Sequence, residues 1–134
     1  DGQKMSKSKD NAIDIFLTDK ALRKQIMSIK TDSTPLEAPK DWAVCNCFAI
    51  YELLASKQAL ETMKENYQAG GYGYGDAKQA LFELICKKFS FERERYNHYM
   101  AHQEEVEKIL TIGAGKAAAV ANSVLARVRK KLGY

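Results

Sequence analysis

Three features of this 134-residue sequence predict an all-α fold, a helical bundle preceded by a mobile polar loop. Apolar residues recur at steps of three and four through every long segment, the period of an amphipathic helix. No succession of alternating, strand-like segments occurs. Both prolines, Pro35 and Pro39, fall in one connector, so no helix has to accommodate one. With 46% hydrophobic and 28% charged residues, the chain suits a soluble globular protein and is long enough for one helical core of ordinary size.

The first segment, Lys4-Met5-Ser6-Lys7-Ser8, lies between Gly2 and Lys9-Asp10-Asn11, which places it on a loop rather than in a helix. Thr18 is the N-cap of the first helix, with Leu22, Gln25, Ile26 and Ile29 on one stripe. Residues 30–41 form an extended connector. Asp41 caps the next helix, which runs to about Ala55; Trp42, Cys45, Phe48, Ala49, Leu53 and Leu54 make it apolar nearly all round and hence central. Ser56 caps a third helix that buries Leu60, Met63 and Tyr67 and stops at Gly70-Gly71. Asp76 opens a fourth with Ala77, Ala80, Leu81, Leu84, Ile85 and Phe89 inward. Tyr96, Tyr99 and Met100 continue that stripe after a shift near Phe89 to Phe91. The last helix passes through Val106, Ile109, Leu110, Gly113, Ala117, Val120, Val124, Val128 and Leu132. It is expected to stay unbroken at Gly113 and Gly115 although each glycine costs about 1 kcal/mol. Gly113, Ala117 and Ala121 leave room for a neighbouring helix to approach closely.

No apolar run approaches the ~20 residues of a bilayer span, and no charged-then-apolar leader is present, so no membrane partner is expected. Cys45, Cys47 and Cys86 are odd in number and lack framework spacing, which suits a reducing cytoplasm. No metal site is expected. On a helix Cys45 and Cys47 point about 200° apart and read as small core hydrophobes, while His98 and His102 share a helix face whose nickel affinity would be a purification artefact. The net charge of +4 is uneven: Lys116, Arg127, Arg129, Lys130 and Lys131 follow an acidic group of Glu104, Glu105 and Glu107. Such asymmetry permits nucleic-acid binding without proving it. Lys87, Lys88, Arg93, Arg95, Tyr96 and Tyr99 mix cations with aromatic rings. The terminal group Arg127 to Lys131 has a simpler account, because a helix dipole favours cations in a last turn. Gly70-Gly71-Tyr72-Gly73-Tyr74-Gly75 lacks the preceding strand and following Lys-Ser/Thr of a phosphate loop. It is either an interhelical loop with its tyrosines folded back or a platform on which unpaired bases stack.

The sharpest chemistry lies in Lys4-Met5-Ser6-Lys7-Ser8. Two ammonium groups three positions apart, interleaved with two hydroxyls, offer compact donors to a polyphosphate, with Met5 folding inward as an apolar anchor. A solvated basic loop is the plainer alternative for such a run. The string resembles the mobile ATP loop of class I aminoacyl-tRNA synthetases. Asn11, Ile13-Asp14-Ile15-Phe16, Ala21-Leu22-Arg23-Lys24-Gln25-Ile26 and Thr31-Asp32-Ser33 follow it. Gly113-Ala114, Lys116-Ala117, Leu125, Val128-Arg129 and Leu132-Gly133 stand near the end. In this order they resemble the C-terminal part of bacterial-type tryptophanyl-tRNA synthetases, over essentially the whole chain.

That resemblance implies a division into residues 1–17, an ATP-loop segment cut from an α/β catalytic domain; 18–41, a helix and connector; and 42–134, a helical anticodon-binding domain. It implies an enzyme that activates tryptophan with ATP and Mg2+ and charges tRNA(Trp). Lys4 and Lys7 would be catalytic, and Lys4, Met5, Ser6, Lys7 and Ser8 would bind ATP. Asn11 would pin the loop's exit as a helix cap. Lys87, Lys88, Arg93, Arg95 and Tyr96 would contact the tRNA anticodon stem-loop. The missing N-terminal catalytic domain would be a partner, and the full-length parent a cytoplasmic homodimer. No His-containing ATP motif occurs, so the fragment alone is expected to be inactive and to hold no cofactor. The equivalent part of a tyrosyl-tRNA synthetase and a free-standing helical interaction module are the alternatives.

Overall fold

The structure, a computed structural model, describes residues 1–134 and contains helices and no strand. The helices are α1 (Asp19–Met27), α2 (Asn46–Leu54), α3 (Lys57–Ala69), α4 (Tyr74–Lys88), α5 (Ser90–Ala101) and α6 (Gln103–Leu132), with 3-10 turns at Lys7–Lys9 and Trp42–Val44. The chain divides into two compact units, Asp1–Arg93 and Glu94–Tyr134.

In the first unit the core consists of Leu22, Ile26, Cys45, Cys47, Phe48, Tyr51, Met63, Tyr67, Ala77, Leu81 and Ile85. The helix that meets both α1 and α2 is α4, so α4 rather than α2 is the centre of packing. Its apolar steps Ala77, Leu81 and Ile85 are spaced by four, which keeps them on one buried line. The caps of α1 and α3 follow the sequence: Thr18 accepts from Ala21 N and Ser56 from Ala59 N. Lysines from α4 satisfy two helix C-termini, Lys78 donating to Met27 O (3.1 Å) and Lys88 to Leu54 O (2.9 Å).

The expected helix from Asp41 to Ala55 is shorter. Asp41 caps only the 3-10 turn Trp42–Val44, and Cys45 then takes extended backbone (φ −85°, ψ 116°) before α2 starts at Asn46. Cys47, Phe48 and Tyr51 occupy the inward face. Leu53, about 200° round from Tyr51, points outward and is 80% exposed. Likewise α4 starts at Tyr74, not Asp76; Asp76 sits inside the first turn and accepts from Gly73 N at 3.0 Å.

The connector is strapped to the end of α3. Lys40 N donates to Tyr67 O (2.7 Å) and Gly71 N to Leu36 O (2.9 Å). Gly70 has φ +75°, and a Cβ there would stand 2.3 Å from Glu37 O, so only glycine fits. Lys40 is buried, and its ammonium donates to Pro35 O, Leu36 O and Ala38 O at 3.1, 3.1 and 3.2 Å. One cation thereby satisfies three turn carbonyls.

The second unit has no buried residue. Tyr96 and Met100 do not carry a buried stripe, at 40% and 55% exposure. As expected, α6 is continuous through Gly113 and Gly115, but a Cβ at either would meet nothing within 4 Å, so no neighbouring helix occupies the small-residue face. The sequence expectation of no span-like run also needs correction: within α6 an 18-residue window has mean hydropathy 1.5, long and apolar enough to cross a membrane by length and composition alone.

Candidate functional site

The polar loop is held by Asn11. Its Oδ1 accepts from Ser6 N (2.8 Å), while Nδ2 donates to Lys4 O (3.3 Å) and to both carboxylate oxygens of Asp1 (3.1 Å each). Asn11 thus pins the loop from beneath, by an amide clasp rather than as a helix cap; the cap role belongs to Thr18. Between the clasped ends the backbone winds into the 3-10 turn Lys7–Lys9, closed by Asp10 in the left-handed region (φ 52°). The Ser6 and Ser8 hydroxyls stand 2.9 Å apart and hydrogen-bond to each other. Lys4, Lys7 and Ser8 are exposed and Ser6 is half-buried. Two exposed cations therefore flank a hydroxyl pair on a backbone whose entry and exit are fixed. Met5 is not the inward anchor expected, being 47% exposed; the loop is anchored by Asn11 instead.

Beside the loop lies an open cleft of about 590 Å³. Met5, Lys9, Lys24, Lys30 and Asn46 are among its lining residues, whereas Lys4 and Lys7 are not. Lys9, Lys24 and Lys30 were not singled out from sequence, and only the fold brings them together: Lys24 projects from α1, and Lys30 O is held by the Asn46 amide at 3.0 Å.

The Gly-Tyr segment turns its rings inward. Tyr72 and Tyr74 pack on the buried Tyr67 ring at 5.9 and 6.2 Å. Burial pushes the Tyr72 hydroxyl up to about 12, and Tyr74 donates to Asp32 at 2.7 Å. These rings build the core and are not laid open for bases. The cysteines are core residues as expected, Cys45 and Cys47 being buried and the Cys47 thiol pushed up to about 12 by desolvation.

The basic–aromatic group is divided between the two units. Lys87 is exposed, and Lys88 is tied to Leu54 O. Arg93, with its side chain 15% exposed, donates to Asp19 Oδ1 (2.5 Å) and Leu17 O (3.1 Å) and is a structural clamp on α1. In the second unit, Arg95 donates to the Tyr99 hydroxyl and lies 5.2 Å from the ring centroid. Tyr96 is two-fifths exposed one residue beyond Arg95. Further along, His98, His102 and Glu105 come together, their donor atoms all within 4.8 Å of one another. The i, i+4, i+7 spacing of these three was a legible signal for that convergence.

Compared with known proteins, residues 1–90 match the family model described as tRNA synthetases class I (W and Y). The chain is 43% identical over 133 residues to the Tryptophan--tRNA ligase of Campylobacter jejuni (strain RM1221), covering 99% of this chain and 42% of the relative. The same figures hold for the Tryptophan--tRNA ligase of Rhodopirellula baltica. The crystal structure of tryptophanyl-tRNA synthetase from Campylobacter jejuni complexed with ADP and tryptophan matches with a TM-score of 0.96 at 42% identity, over 100% of this chain and 42% of that one. The chain therefore spans about two-fifths of the length of the curated relatives it matches.

Proposed function

We propose that this chain, which belongs to the class I tRNA synthetases of tryptophan and tyrosine, is the C-terminal part of an enzyme that activates tryptophan with ATP and charges tRNA(Trp). The observation that supports this most is the clasped loop, with Lys4 and Lys7 reaching into solvent beside a hydroxyl pair. When a carboxylate attacks the α-phosphate, negative charge grows on the departing pyrophosphate. Lys7 and Lys4 would meet that charge, and Ser6 and Ser8 would exchange their mutual bond for bonds to phosphate oxygens. A loop fixed at its ends and open between them can close on ATP late, so its binding energy goes to the transition state rather than the ground state. Residues 1–17 would work with a catalytic domain that also binds Mg2+ and selects the amino acid. Residues 18–41 would carry the chain to a helical anticodon-binding region at 42–134.

Within that region Lys87, Arg95 and Tyr96 are the tRNA contacts we favour, through phosphate attraction and base stacking. Lys88 and Arg93 would act indirectly, by holding α2 and α1. The parent would be a cytoplasmic homodimer. In that parent, Lys7→Ala should lower tryptophan-dependent pyrophosphate exchange on the order of 100-fold, with helical content by circular dichroism unchanged. Exchange at the parental rate would sink the assignment of the loop.

A further inference from the structure

Against the sequence expectation of no metal site, we propose that His98, His102 and Glu105, which the fold brings together, form a binding site for a divalent transition-metal ion of the zinc type. Two imidazoles and one carboxylate are a donor set that such ions favour. The spacing also fits. His98 Nε2 and Glu105 Oε2 stand 3.0 Å apart. Two ligands held at bond lengths of about 2.0–2.2 Å and a tetrahedral angle lie roughly 3.3–3.6 Å apart. An ion replacing the shared proton therefore asks for only a few tenths of an ångström of movement between these two.

His102 carries an outer hydrogen bond of the kind that fixes the tautomer of a metal-binding histidine. Its Nδ1 lies 2.9 Å from His98 O, a carbonyl that can only accept, so Nδ1 carries the hydrogen. In the neutral ring this leaves Nε2 as the lone-pair nitrogen, with an outer bond that fixes tautomer and ring direction. The two imidazoles are stacked at 4.4 Å with planes 24° apart, so both rings are ordered against each other before an ion arrives.

The three ligands come from two helices and the break between them: His98 lies in α5, His102 at the break (φ −127°, ψ 62°), and Glu105 in the first turn of α6. A bound ion would join the last turn of α5 to the start of α6, and a fourth position would stay open to water. The His98 and Glu105 side chains are 49% and 43% exposed, so an ion has access. Cys45 and Cys47 are buried in the core of the first unit and offer no accessible competing ligand.

The test is calorimetric titration of the 134-residue chain with zinc chloride, repeated for His98→Ala, His102→Ala and Glu105→Gln. We expect saturable one-to-one binding, weakened at least about tenfold by each substitution. The ring signals of His98 and His102 should shift together by NMR. Because all three side chains lie at the surface of the second unit, helical content should stay unchanged in every variant. No saturable binding up to about 1 mM zinc, an affinity weaker than roughly −4 kcal/mol, would overturn the proposal. So would affinity that all three variants retain in full.

Discussion

The two compact units have the same kind of sequence and opposite burial. In Asp1–Arg93 the apolar stripe of α1 is covered, with Leu22 and Ile26 at 0% exposure. In Glu94–Tyr134 the equally regular stripe of α6 lies open, with Val120, Val124 and Val128 at 69%, 44% and 45%. The first unit fixes its chemistry by long-range bonds, such as Arg93 to Asp19 and Lys78 to Met27 O. The second relies on neighbours a few residues apart, such as His98 with Glu105 and Arg95 with Tyr99. Periodicity therefore forecasts that a helix forms. Whether its apolar face is covered depends on what the rest of the chain places against it.

The sharpest way to break this comparison is to truncate one apolar residue in each unit. Tyr67 is fully buried, with Phe48, Tyr72 and Tyr74 around its ring. Tyr67→Ala should cost about 3–5 kcal/mol in denaturant unfolding. Val124→Ala should stay within about 0.5 kcal/mol. A large loss at Val124 would mean that its face is covered in solution and that the contrast is false.

A smaller effect is expected at the connector. Lys40→Met keeps the apolar stem but leaves the Pro35, Leu36 and Ala38 carbonyls without their shared donor, at a cost of about 2 kcal/mol. Stability equal to that of the parent chain would show that water replaces the ammonium.

The smallest effect concerns Asp32. Its carboxyl is held below the ordinary 3.8 first by the Thr34 backbone N–H and further by the Tyr74 hydroxyl. Because the folded value is depressed, the stabilisation is present above the unfolded value and is lost as pH falls through the folded one. In Tyr74→Phe the Asp32 midpoint, followed by NMR, should rise toward 3.8 without reaching it, since the Thr34 bond remains. An unmoved midpoint would show that the hydroxyl contributes nothing.

Much of the first unit was legible in advance. Thr18 and Ser56 cap as expected, because a hydroxyl before an apolar period has a local job. Met63, Tyr67, Ala77, Leu81 and Ile85 are buried as their spacing predicts. The phosphate-type string Lys4 to Ser8 was readable, but not the clasp by Asn11 or the loss of Met5 as anchor, since both depend on where a side chain points. Arg93 shows the same limit: among cations and aromatics it reads as an RNA contact, and the fold spends it on Asp19. Leu53 and the late start of α2 were missed because an apolar run does not reveal which face will meet a partner.

By itself the sequence determined the helices, most of their caps, the polar loop and its donor set, because these depend on residues within one or two turns of each other. Tertiary structure alone decided that α4 is the hub, that Lys40 is buried, that the tyrosines of the glycine-rich segment turn inward and that α6 remains uncovered. Those outcomes depend on groups far apart in the chain, and a local period carries no information about what will arrive to cover it.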